Sequence, residues 1–173
     1  MTYTSHYDSP LGGILLSADE QGLTGLWFDG QKYFARALPK EHAEGDLPVL
    51  SETKRWLDVY FSGKEPEFLP ALHPIGSDFQ KAVWALLLKI PYGKTTTYGE
   101  LARQIAAQRG LSHMSAQAVG GAVGHNEISL LIPCHRVVGA NGSLTGYILS
   151  LSCLYNTAHV NLIHCLGSNI CSL

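Results

Sequence analysis

The sequence predicts an α/β N-terminal domain, a small β-sheet plus a helix, followed by a mainly helical C-terminal domain in which two helices form a helical hairpin or a helix-turn-helix. Three observations predict it. The chain opens on short apolar runs broken by turn signals, as hairpin strands do. A proline-rich stretch around residue 70 then interrupts it. Beyond that stretch, apolar residues recur at helical spacing.

Between Tyr3 and Phe28, "SPLGG" and "ADEQG" mark the turns between strands. From Pro48, "PVLSETKRWLDVYFSG" sets Leu50, Trp56, Leu57, Tyr60 and Phe61 at mostly helical spacing and ends on Gly63. "KEPEFLPALHPIG" holds Pro66, Pro70 and Pro74 and reads as an extended connector, which bounds an N-terminal domain at residues 1–75. Ser77 or Asp78 can cap a helix that buries Phe79, Val83, Trp84, Leu87 and Leu88, and Pro91 and Gly93 end it. "TTTYGELARQIAAQ" opens a second helix with threonines at its cap and Glu100 in its first turn. A third, "MSAQAVGGAVG", is poor in bulky side chains. These two helices fit an ordinary helical hairpin or a helix-turn-helix whose second helix can lie close to a backbone.

Composition narrows the function classes. Of 173 residues, 46% are hydrophobic and 15% charged, the balance of a globular chain. No apolar run is long enough to span a membrane, and no basic region precedes the first apolar segment. The expected compartment is the cytoplasm, where thiols stay reduced. Charge is divided: residues 1–75 carry six Lys/Arg against eleven Asp/Glu, and residues 76–173 carry six against three. An acidic half joined to a mildly basic one fits a protein whose second half meets a polyanion.

The chemistry concentrates in "LLIPCHRVVG", residues 130–139, where Pro133, Cys134, His135 and Arg136 separate two apolar runs that read as buried strand. A thiol attacks as thiolate, and an ordinary cysteine, with a pKa of about 8.5, is only slightly ionised at neutral pH. A histidine, the positive Arg136 or a helix N-terminus would raise that fraction. Adjacent residues do not face each other in a helix or strand, so His135 needs a bent backbone or a bridging water to serve Cys134. An inert buried cysteine beside a core histidine, or a Cys-His protease or acyl transferase, fits the bare pair as well.

"IPYGKTTTYGELA", "SAQAVGGAVGHN", "LLIPCHRVVGANGSLTGY" and "SPLGGILLSADEQGLTGLWF" together resemble the O6-alkylguanine-DNA alkyltransferases, from about residue 3 to Tyr147. The resemblance implies a DNA-binding and alkyl-acceptor domain at residues 76–147. It implies a monomer on double-stranded DNA containing O6-alkylguanine, engaged through the minor groove with the damaged base flipped out. Cys134 would be the alkyl acceptor, His135 the base that takes its proton through water, and Asn126 the hinge that holds the turn and orients the thiol. Tyr98 would crowd the phosphate, with Ser115, Gln117, Gly120 and Arg136 the other DNA contacts. Val137 and Tyr147 would wall the substrate pocket, with Ile148 in the pocket loop. O4-alkylthymine is a second expected substrate. The transfer is irreversible, each molecule reacts once, and no cofactor or metal takes part.

Departures from the family pattern fall at informative places. Gln117 stands where an arginine finger is common, and can hydrogen-bond to the orphaned cytosine without bringing charge. Glu127 replaces the proline that usually follows the hinge asparagine, and near a thiolate its charge would raise the thiol pKa. After Tyr147 the family continues with a charged helix whose glutamate orients the histidine. Residues 148–173 instead form an atypical uncharged tail, with no Asp, Glu, Lys or Arg from Val137 to Leu173 and Asn161 at the glutamate's spacing. So sharp a shift reads as translation in another frame. Cys153, His159, His164, Cys165 and Cys171 match no standard zinc spacing. The tail leaves two expectations open, an impaired alkyltransferase or an inactive protein that only binds DNA.

Overall fold

The computed structural model describes residues 1–142. Strands β1 (Thr2–Ser9), β2 (Gly12–Asp19) and β3 (Gly22–Phe28) form an antiparallel meander. A short β4 (His42–Glu44) pairs parallel with β1, so the sheet order is β3-β2-β1-β4. The pleat sends Ile14, Leu16, Ala18, Leu26 and Phe28 into the main core. Leu15 and Trp27, paired across the strands, are buried on the other face. The hairpins were legible in the sequence, whereas β4, only three residues long, was not.

Helix α1 (Pro48–Phe61) starts with a proline in its first turn, where a missing N–H is harmless. It buries Leu50, Trp56, Leu57 and Tyr60. Gly63, at φ 82°, closes it: its N–H donates to the Tyr60 carbonyl at 3.1 Å, and that of Lys64 to the Val59 carbonyl at 3.4 Å.

The second half holds three more helices among the described residues. In α2 (Asp78–Leu87), Ser77 and Gln80 form a reciprocal capping box. Thr97 caps α3 (Tyr98–Gln108) and Ser115 caps α4 (Ala116–Gly124). The indole N–H of Trp84 donates to the Ala122 carbonyl at 2.9 Å, fastening α4 to α2. A two-residue strand β5 (Thr96–Thr97) pairs parallel with β6 (Val137–Val138), which brings the chain after Cys134 beside the start of α3.

The outer edge of β3 carries the link between the halves. Leu23 exchanges backbone bonds with the connector: its N–H donates to Ala71 at 2.8 Å, and its carbonyl accepts from His73 at 2.8 Å. Leu26 does the same with the segment before Cys134, donating to Glu127 at 2.8 Å and accepting from Ser129 at 3.1 Å. An edge that would otherwise be open is thereby covered. Residues 130–132, expected as buried strand, are buried but turn-like, with Leu130 at φ 68°. Their polar groups are paired locally, the Ile132 N–H with the Ile128 carbonyl at 3.1 Å.

Glu127 completes this junction and corrects one expectation. Its carboxylate accepts from Trp27 Nε1 at 2.7 Å, so it is engaged by the N-terminal sheet rather than by the thiol. Burial pushes its pKa up, with the Trp27 bond and the charge of Arg36 only partly opposing. The Trp27 ring lies flat over Gly25, where an added Cβ would sit 1.9 Å from it.

Two outcomes are expected. Gly25→Ala displaces the indole and costs about 2 kcal/mol by chemical denaturation, and a loss below about 0.5 kcal/mol contradicts this packing. Because the folded state raises the Glu127 pKa, its stabilising effect belongs to the protonated form and fades as pH rises through that pKa. Glu127→Gln, which keeps an acceptor for Trp27, should therefore raise the melting temperature at pH 7 and change it little near pH 4. Equal shifts at both pH values would contradict the buried-charge reading.

Candidate active site

Helix α4 ends at Gly124, and two residues later Asn126 begins the turn that leads to Cys134. Its side-chain Oδ1 accepts from the Ile128 N–H at 3.0 Å. Nδ2 donates to the Ile132 carbonyl at 2.8 Å and approaches the Ile128 carbonyl at 3.3 Å and Cys134 Sγ at 3.2 Å. Two hydrogens thus serve three acceptors, so at least one bond is shared. The reversed amide would set NH2 against the Ile128 N–H, and the network excludes it. One buried side chain both closes the turn and points an N–H at the sulfur. Such a donor favours the thiolate over the thiol.

Cys134 is 2% exposed and opens a 3-10 turn, Cys134–Arg136, that carries His135 and Arg136 away from it. With the two side chains diverging, a bridging water is the route left between them. His135 Nε2 lies 3.3 Å from the hydroxyl of Tyr60 on α1. The histidine pKa is lowered from 6.5 to about 3, by burial first and then by the Arg136 charge, so the ring is neutral at pH 7. Only a neutral imidazole has a lone pair for a proton.

Tyr98, the first residue of α3, is brought to the same place. Its pKa is raised by burial first and then by the charge that Cys134 would carry as a thiolate. Gly120 of α4 lies against the Tyr98 ring, where a Cβ would come within 3.7 Å of it. Ser115 and Gln117 are exposed at the start of α4. Val137 is buried, directly after the turn. Tyr147 and Ile148 lie outside the described residues, as do the tail cysteines and histidines.

Arg136 was expected at the DNA surface, and the structure places it elsewhere. It is 7% exposed, donates to the Ile90 carbonyl at 3.0 Å and sits 5.4 Å from the Tyr92 ring centroid. Buried this way, it fastens the chain after α2 to the active-site turn. Sequence reasoning in turn missed Tyr60, whose helical spacing marks it only as a core residue. No group of three or more His, Cys, Asp or Glu able to hold a metal occurs among the described residues.

Comparison with known proteins covers both halves. Residues 2–72 match the family model described as 6-O-methylguanine DNA methyltransferase, ribonuclease-like domain, and residues 78–157 match the DNA binding domain of the same name. The methylated-DNA–protein-cysteine methyltransferase of Methanosarcina acetivorans is 42% identical over 150 residues, 86% of this chain and 91% of that protein. The Haemophilus influenzae protein of the same name is 40% identical over 147 residues, 84% of this chain and 78% of its own length. The crystal structure of Mycobacterium tuberculosis O6-methylguanine methyltransferase superposes with a TM-score of 0.71 at 38% identity, covering 94% of this chain and 98% of that one. That enzyme's structure in complex with DNA gives 0.70 with the same identity and coverage. With both domains matched in order and relatives of about 40% identity over most of the chain, the chain belongs to the 6-O-methylguanine DNA methyltransferase family of DNA-repair enzymes.

Proposed function

We propose that Cys134 accepts the alkyl group of O6-alkylguanine, and of O4-alkylthymine, directly from double-stranded DNA, once per molecule. The single observation that carries this reading is the Asn126 amide, 3.2 Å from Cys134 Sγ and bonded to both ends of the turn that presents it. In the reaction the S–C bond forms as the O6–C bond breaks, and the electron pair passes to the guanine. The thiol proton moves through water to His135 and returns to the base, leaving guanine and a thioether. A thioether has no ready leaving route, which makes the step irreversible. All of it proceeds with these side chains and no cofactor.

The α3–α4 pair is the proposed helix-turn-helix, entering the minor groove. Exposed Ser115 and Gln117 would meet the DNA, and Gly120 would let the backbone and Tyr98 come close to it. Tyr98 would rotate the nucleotide, and Val137 would line the pocket with Tyr147 and Ile148. The base must leave the stack, at a cost of a few kcal/mol that these contacts offset. A monomer acting in the cytoplasm suits this work. The second reading, a protein that binds DNA without transfer, draws on one observation: no Asp or Glu follows Glu127 in the sequence to orient His135.

Intact mass after incubation with a duplex containing O6-methylguanine tests the proposal. A gain of one methyl group, lost in Cys134→Ser, is expected; no gain from a folded chain that still binds the duplex would leave the binding-only reading. Asn126→Ala strands the Ile128 N–H and the Ile132 carbonyl, so a loss of about 2 kcal/mol and a transfer rate lowered by roughly 100-fold are expected. An unchanged single-turnover rate would remove Asn126 from the site. Because His135 stays neutral far below its ordinary range, the rate should hold level from about pH 5 to 7 and rise above that with thiol ionisation. A fall on the acid side centred near 6.5, abolished in His135→Gln, would contradict the lowered pKa.

A further inference from the structure

Tyr60 belongs to the N-terminal half yet touches the candidate base. Its hydroxyl lies 3.3 Å from His135 Nε2, and the two rings meet edge to face, 6.5 Å between centroids at 77°. The residue is 1% exposed. Its ring is clamped from within α1, stacked on Trp56 at 5.0 Å and set edge-on to Phe61 at 5.6 Å. A phenol fixed by packing on a capped helix delivers its oxygen to one place. Groups held this way orient a partner at little entropic cost.

We infer that Tyr60 is a positioning residue for alkyl transfer, its oxygen accepting a hydrogen bond from His135 Nε2–H and so leaving Nδ1 as the bare nitrogen. The inference rests on the transfer reading above and assigns a part in that site to the N-terminal domain. The chemistry of the imidazole decides the direction of the bond. Were the phenol to donate to Nε2, the neutral ring would carry its hydrogen on Nδ1, and no nitrogen would be left bare for the thiol proton. With Nε2–H donating, Nδ1 is open to the water that relays the proton from Cys134. When that proton arrives, the bond to Tyr60 becomes charge-assisted and tightens. Burial and Arg136 are the influences that oppose the charged ring, and among the described residues no carboxylate acts on it. Glu127 is occupied by Trp27, and no Asp or Glu follows it in the sequence. A neutral phenol steadies an imidazolium less than a carboxylate does, so Tyr60 fixes the tautomer but gives a slower base.

The test is the tautomer of His135 in the full chain labelled with 15N-histidine, read from two-bond 1H–15N couplings at pH 7. His135→Gln assigns the signal among the eight histidines. The Nε2–H form is expected, and Tyr60→Phe, which keeps the ring and its stacking, should shift it toward a mixture. The single-turnover rate should fall roughly tenfold in the same variant, the worth of one such bond. An Nδ1–H tautomer in the unaltered chain, or a tautomer indifferent to Tyr60→Phe, overturns the inference. The unaltered chain decides the first point even if the variant fails to fold. Since the tautomer is read without DNA, a chain that shows the expected shift but transfers no methyl would sink the transfer reading while upholding the hold of Tyr60 on His135.

Discussion

The two backbone hydrogen bonds that Leu26 exchanges with Glu127 and Ser129 are the constraint on which the rest of the site depends. They make the segment before Cys134 a continuation of the N-terminal sheet rather than a loop of the helical half. Asn126 lies one residue before that pairing, and its amide reaches across the turn to Ile132 and Cys134. The position of the sulfur is therefore set by the sheet, through one pair of backbone bonds and one side chain. Trp27 and Glu127 brace the same junction from the other side.

This arrangement gives a role to an N-terminal domain that is acidic overall and ill suited to binding DNA itself. It covers the edge of β3, buries Cys134 behind Asn126, and brings α1 with Tyr60 against His135. Neither half completes the site alone. An unpaired amide or carbonyl in the turn would cost about 1–3 kcal/mol, so the turn is well defined only while its partners on β3 are present. Arg136 works in the same sense, spending its charge on the Ile90 carbonyl and the Tyr92 ring to hold the turn against the chain beyond α2.

Much of this was legible in the sequence, for reasons that also explain the rest. The hairpins and all four described helices announced themselves through periodicity, turns and caps. Cys134, His135 and Asn126 stood out by motif, and the structure brings Asn126 to the sulfur. What escaped was non-local or too short to carry a pattern. Strands β4, β5 and β6 hold two or three residues each, below the length at which alternation can register. Residues 130–132 have strand-like composition, but the pairing of Leu26 with the residues just before them and the Leu130 φ of 68° turn them back. Arg136 was expected against DNA and Glu127 near the thiolate, whereas burial and a specific partner gave each a structural task. Tyr60 contacts His135 across 75 residues, a distance no local reading bridges.

Native-state hydrogen exchange at the amides of Leu26, Ile128 and Ser129 tests the central claim most directly, namely that the active-site turn and the N-terminal sheet are one cooperative unit. Leu26 and Ser129 pair across the junction, and the Ile128 N–H is held by Asn126. If the claim holds, all three exchange with the opening free energy of the β2–β3 core and respond to denaturant with the same slope. Exchange of Ile128 and Ser129 at a much lower free energy, with the sheet still protected, would show a turn that opens on its own and would contradict the account.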